Sequence, residues 1–302
     1  MLNPVKKARG RVRMVKTSKR KKSTRSAAPS PTGEGKGEKH LFLRQAQDTE
    51  VLKAQDQPLP TASRVGRPRW PSNQGAQRLT IAIDGPSGAG KSTVARTLAK
   101  RLGYVYIDTG AMYRSLALRV KEKGIPPEDE LMLRQLALSI HIHFVTERGQ
   151  TRVFCEGEDI TEAIRTPEIS RLASSISKQR GVREALVEMQ REMGEEGGVV
   201  LEGRDIGTVV FPDADVKFYL DAESNERIRR RHVEMVEKGV KVGLEETRGE
   251  LLQRDYNDTH RAHSPLKKAI DAMFIDSTHR SVEEVVEEMV RIIKERIKSH
   301  EL

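Results

Sequence analysis

From residue 78 onward, apolar and polar positions follow two periods. Short apolar runs at Leu79–Ile83, Tyr104–Ile107, Val199–Leu201, Val216–Leu220 and Met273–Ile275 are each followed by Asp or Glu and read as buried strands. Between them lie patterns of helical spacing, at 93–102, from Arg114 to about 123, at 129–138, at about 167–178 and 181–193, at 223–238, at about 244–261 and at 281–298. Ile140–Val145 and Arg152–Cys155 alternate as a pair of strands around a Gly-containing turn. Strands that alternate with helices predict an α/β fold of three layers, with a five-stranded parallel sheet wrapped by helices and joined by right-handed crossovers. The excursion at 140–155 and the helices after it read as an insert on that sheet.

The first strand runs straight into Gly85-Pro86-Ser87-Gly88-Ala89-Gly90-Lys91-Ser92, and a helix follows from Thr93. This is G-x-x-x-x-G-K-S between strand and helix, the arrangement of a phosphate-binding P-loop. Its glycines let the backbone curl so that N–H groups point inward at phosphate oxygens, and the helix start adds orphan donors and a positive dipole end. Lys91 is placed to reach the β- and γ-phosphates, and Ser92 to offer a hydroxyl to Mg²⁺.

Charge divides the chain. Residues 1–77 carry 18 Lys and Arg against 5 Asp and Glu, a balance of +13, whereas 78–302 carries 36 against 39, a balance of −3. The tail lacks sustained apolar periodicity and reads as a disordered basic extension, with Trp70 exposed between prolines. A solvated extension accounts for it; a nucleic-acid tether or a transit peptide are the other readings. The formal +10 of the whole chain thus belongs to the tail and says little about the body. No run of about 18 apolar residues is present, so no membrane helix is expected. The single cysteine, Cys155, excludes an intramolecular disulfide and fits a buried apolar role in a reducing, cytoplasmic setting. His141 and His143 share a strand face but have no third ligand spaced nearby, which argues against zinc.

A P-loop says that a nucleoside triphosphate binds, not what becomes of it. Arginines narrow the choice. Arg227, Arg230 and Arg231 stand at i, i+3 and i+4 of one helix, and Arg254, Asp258 and Arg261 at i, i+4 and i+7 of the next, so each set shares a face. Arg114, Arg183 and Arg204 follow short polar motifs near strand ends or helix starts. Phosphoryl transfer spreads negative charge over equatorial oxygens, and positioned Arg, Lys and Mg²⁺ stabilise it.

Five separated stretches then carry a resemblance. GPSGAGKS at 85–92, DTGAMYR at 108–114, GEDITEAIRT at 157–166, GRDIGTVVFPDA at 203–214 and RDYNDTHRAHSPL at 254–266 together resemble the bacterial-type cytidylate kinases over about 79–298. The resemblance implies phosphoryl transfer from ATP, with Mg²⁺, to CMP or dCMP in pyrimidine nucleotide metabolism. It implies a monomer with a kinase domain over 78–302, a nucleoside-monophosphate-binding insert at about 139–195 and an arginine-rich lid at about 223–243. Residues 85–93 would hold ATP, with Lys91 and Ser92 on its phosphates and metal. Arg227, Arg230 and Arg231 would close over the donor phosphates and exclude water. Arg114, Arg204 and Arg261 would grip the acceptor phosphate, flanked by Thr109 and Tyr113. Ser174, Arg183 and Asp205 match positions that read cytosine, and Arg254 and Asp258 those that touch the ribose. A carboxylate is the natural partner of the 4-amino group that cytosine has and uracil lacks. Some members carry Gly at the position of Ser92. Another small P-loop kinase, for UMP, AMP, guanylate or shikimate, and a nucleotide switch without transfer are the rival readings.

Overall fold

The computed structural model describes residues 78–147 and 150–300. The basic tail, Trp70 and the domain boundary at residue 77 lie outside the described residues. In chain order, β1 (Thr80–Asp84) leads through the glycine loop into α1 (Lys91–Leu102). β2 (Val105–Asp108) leads directly into α2 (Thr109–Glu122). Next come α3 (Glu130–Ser139), β3 (Ile142–Glu147), β4 (Gln150–Cys155) and the short β5 (Glu158–Asp159). α4 (Pro167–Ile176) and α5 (Arg180–Gly194) precede β6 (Val199–Gly203), and a π-helical turn spans Ile206–Val210. β7 (Val216–Asp221), α6 (Ser224–Glu237), α7 (Leu244–His260), β8 (Met273–Asp276) and α8 (Val282–His300) complete the chain.

The five expected strands form one sheet in the order β2-β6-β1-β7-β8, with every ladder parallel. Both faces of the central strands are covered, which is why they are apolar at most positions, whereas the edge strand β8 exposes Met273 and Phe274. Ala82, Ile107, Val199 and Leu201 face a core shared with α2, α3 and α5. Ile81, Ile83, Tyr106, Val200 and Phe218 face a second core against α1 and α8. Ile81, Ile83 and Phe218 are at most 1% exposed, and burial of each contributes about 1.5–3 kcal/mol.

Two local expectations need correction, and one element has no counterpart in the sequence pattern. The DTG segment does not precede a helix but begins it: Asp108 caps α2 by accepting the Ala111 N–H at 2.8 Å, so Thr109 is already helical. The insert's sheet has three strands rather than two, because Glu158–Asp159 adds to β4. The Ile206–Val210 turn has no periodic signature in the sequence and is held from outside. Asp84, 4% exposed, accepts the Ile206 and Gly207 N–H groups, one on each carboxylate oxygen, both at 2.8 Å. Cys155 is buried in the insert's core, and His143 stacks on Phe154 with ring centroids 5.1 Å apart. No group of three metal-ligating side chains, and no helix long and apolar enough to cross a membrane, occurs among the described residues.

The buried position of Asp84 generates a pH test. Burial raises its pKa from 3.8 to about 6, against the opposing pull of the Gly207 and Ile206 amides. A carboxyl raised on folding favours the folded state fully below its unfolded pKa, and that contribution is lost as pH rises through about 6. Asp84→Asn is neutral at every pH. Wild type should therefore lose stability relative to Asp84→Asn by on the order of 1 kcal/mol between about pH 5 and about pH 7.5, read from urea unfolding. A gap that is constant, or moves the other way, would mean that the two amides keep the carboxylate ionised throughout.

Candidate active site

Sheet register brings the separated motifs to one edge. Across the β1–β6 ladder Asp84 lies opposite Gly203, and across β2–β6 Asp108 lies opposite Glu202. The glycine loop, the DTG segment and the GRD segment therefore leave the sheet side by side at its C-terminal edge, where open α/β sheets place their ligands. A cleft of about 930 Å³ opens there, walled by these three segments, by α4 and by the arginine-bearing helices α6 and α7.

On the loop side, Gly90 takes the left-handed conformation (φ 87°) and caps α1 with no side chain across its N-terminus. The first N–H groups of α1 thus face the cleft, an arrangement that suits an anion. The Lys91 ammonium folds back on the Pro86 carbonyl at 2.6 Å. Burial, and then Arg204, push it below the usual lysine range. Ser92 is exposed and lines the cleft together with Glu202. Glu202 also accepts the Tyr106 hydroxyl, and its backbone carbonyl accepts the Thr109 hydroxyl at 2.7 Å. Burial, and then Asp108, push Glu202 above the usual carboxylate range. The donors beside the loop are hard oxygens, the type that Mg²⁺ prefers, and that ion commonly takes only one or two protein ligands alongside phosphates and water.

On the opposite side, Arg183 and Asp205 form an ion pair, 4% and 8% exposed. Arg183 lies over the Tyr113 ring at 5.5 Å. Next to this pair, Ser174 Oγ and Arg183 Nε are buried without a hydrogen-bond partner. Buried polar atoms are rarely left so, and in a cleft they mark places for a ligand's polar edge. Arg204 pairs with Asp258 at 2.8 Å, Arg114 with Asp108 at 2.9 Å, and Arg261 binds the Ser264 carbonyl at 2.7 Å. Although burial opposes it, Arg204 and then Arg254 hold Asp258 below the usual carboxylate range. Arg254 is pushed down to about 10 by burial and by Arg204.

Of the residues singled out from sequence, Arg227 alone among the lid arginines is turned away from the cleft. It is 7% exposed and donates to the Ser87 and Ala222 carbonyls at 2.9 and 3.0 Å. Arg230 and Arg231 do line the cleft. They are held by Glu226 and Glu234 at 2.8 Å each, and Arg230 also donates to the Ser277 and Thr278 carbonyls. Arg229 and Arg165 join the lining without having been expected there. Glu202 was also missed, although its position, one residue after an apolar strand and directly before G-R-D, is a legible signal.

Comparison with known proteins agrees with the motifs. The cytidylate kinase family profile matches residues 81–295. A cytidylate kinase of Geobacter sulfurreducens is 53% identical over 225 residues, covering 74% of this chain and 97% of that protein. One from Bacillus cereus (strain ATCC 10987) is 48% identical over 217 residues, covering 72% and 96%. Among solved structures, the shikimate kinase of Bacteroides thetaiotaomicron aligns over 72% of this chain and 99% of its own at 13% identity, with a TM-score of 0.39, too low to carry an argument. With the family profile spanning the whole described sheet and half the residues shared with such relatives, this chain belongs to the cytidylate kinase family.

Proposed function

We propose that this protein transfers the γ-phosphoryl group of ATP to CMP and dCMP, releasing ADP and CDP or dCDP. The observation that carries this reading is the buried Arg183–Asp205 pair beside the unpartnered Ser174 hydroxyl, in the same cleft as the glycine loop. A base edge with an amino donor and ring acceptors would satisfy this group, whereas uracil would set a carbonyl against a carboxylate. Membership of the family supports ATP as donor.

In this reading residues 85–93 and Lys91 hold the triphosphate, with Lys91 leaving the Pro86 carbonyl for the phosphates. Mg²⁺, held at Ser92 with Glu202 behind it, would neutralise charge on the transferring group. Arg114, Arg204 and Arg261 take the acceptor phosphate, flanked by Thr109 and Tyr113. Asp258 and Asp108 pair with two of these arginines, which lowers the cost of holding several cations together. Arg254 and Asp258 address the ribose. Residues 139–195 act as the monophosphate-binding insert and 223–243 as the lid, from which Arg230 and Arg231 reach the donor phosphates and exclude water. No general base is required, because the acceptor phosphate is anionic at neutral pH; positioning and charge perform the catalysis. A monomer in a reducing, cytoplasmic setting fits the lone buried cysteine and the family resemblance.

A coupled ADP-release assay with CMP, dCMP, UMP, AMP and shikimate tests the assignment. CMP and dCMP should exceed UMP in kcat/KM by about 100-fold or more. Preferred turnover of UMP, AMP or shikimate would sink the cytosine reading. Asp205→Asn should lower kcat/KM for CMP by about 100-fold while the KM for ATP stays within about twofold; an equal loss for ATP would place Asp205 elsewhere. Ser92→Ala should reduce the gain in ATP affinity that Mg²⁺ produces, by about tenfold in calorimetry. An unchanged gain would remove Ser92 from the metal.

A further inference from the structure

Arg227 holds a different place from its neighbours on α6. Its guanidinium donates from Nε to the Ala222 carbonyl, from Nη1 to the Ser87 carbonyl and to Asp255, and from Nη2 to Ser224 Oγ. Four of the five N–H donors of a guanidinium are thereby engaged within the protein. Arg230 is engaged as fully, but it is 26% exposed and lines the cleft, whereas the Arg227 side chain is 8% exposed and does not. Asp255, on α7, uses its other oxygen to accept the Ser87 N–H at 3.2 Å. Ser87 is thus gripped at both its N–H and its carbonyl by an ion pair whose members come from α6 and α7. Close packing accompanies the grip: a Cβ placed on Gly88 (φ 77°) would stand 2.8 Å from the Arg227 carbonyl oxygen.

We propose that Arg227 and Asp255 form a clamp that sets the shape of the glycine loop and couples it to α6 and α7. Arg227 is then a positioning residue for the triphosphate, not a group that touches the transferring phosphoryl. The physical reason is geometric. A loop that cradles phosphate must present several N–H groups inward, and Ser87 begins its turn. Fixing that residue at both backbone groups leaves the following amides, Gly88 to Lys91, one conformation to take up. Both clamp members are charged and the contacts are sheltered, Arg227 and Asp255 side chains being 8% and 16% exposed. Removing Arg227 leaves Asp255 without its counter-charge, and removing Asp255 leaves Arg227 only the more distant Asp221, at 3.6 Å, so the two should act as one unit on Ser87. The consequence for triphosphate affinity rests on the assignment of the loop to ATP; the clamp itself does not.

Arg227→Met, Arg227→Lys, Asp255→Asn and the double variant of the full chain separate the possibilities. In nucleotide-free protein, amide hydrogen exchange across 85–92 should quicken about tenfold or more in each variant. ATP binding by calorimetry should weaken about tenfold in each single variant, and no further in the double. The KM for CMP, and kcat at saturating ATP, should stay within about threefold of wild type. Unchanged exchange overturns the clamp, and faster exchange with unaltered ATP affinity overturns its role in positioning the triphosphate. A loss of kcat of about 100-fold in Arg227→Met with Asp255→Asn at wild-type rate also overturns it, and returns Arg227 to the phosphoryl group. If Arg227→Met fails to fold, Asp255→Asn and Arg227→Lys carry the same readouts. Wild-type protein that binds no ATP refutes the donor assignment, while the exchange data still decide the clamp.

Discussion

The Asp84 carboxylate, at the end of the central strand, takes one backbone N–H from each of Ile206 and Gly207. The glycine loop begins one residue after Asp84, and the Arg204–Asp205 segment ends one residue before Ile206. A single buried side chain therefore ties the two halves of the cleft to each other through two short bonds. Parallel register supplies the rest: with Asp84 opposite Gly203 and Asp108 opposite Glu202, three motifs more than a hundred residues apart in total begin at one level of the sheet. Loops anchored on a sheet buried on both faces inherit its rigidity, which catalysis by positioning requires.

Charge is the second constraint on the cleft. It gathers more cations than a protein interior tolerates alone, and several are matched by carboxylates, while buried Lys91 meets the Pro86 carbonyl. Arg183 has Asp205, Arg204 has Asp258, Arg227 has Asp255, and Arg230 has Glu226. Matching of this kind lets guanidinium groups stand close together while phosphates are absent. It also separates functions. An arginine buried off the cleft lining, as Arg227 is, shapes the backbone it donates to, whereas those that line the cleft, Arg230 and Arg231 among them, can turn to a ligand.

Much of this was readable in the chain itself. The five strands, their parallel arrangement and the glycine loop follow from apolar runs, helical spacing and an eight-residue motif, because both period and motif are local properties. Spacing on helix faces marks Arg230, Arg231, Arg254 and Arg261, and short polar motifs at strand ends or helix starts mark Arg114, Arg183 and Arg204. Glu202 and Asp84 were overlooked because a single acid at a strand end looks the same whether it faces solvent or is buried.

The sequence by itself determined the fold class, the nucleotide loop and the family, since all three rest on patterns among neighbouring residues or on ordered motifs. Tertiary structure alone decided the fate of each arginine. Helical spacing placed Arg227, Arg230 and Arg231 on one face, yet a face extends over a wide arc, and the packing of α6 against the glycine loop and α7 turned the first inward and left the other two in the cleft. That outcome depends on Ser87 and Asp255, residues 140 and 28 positions away in the chain, and no local pattern encodes a contact across such a separation.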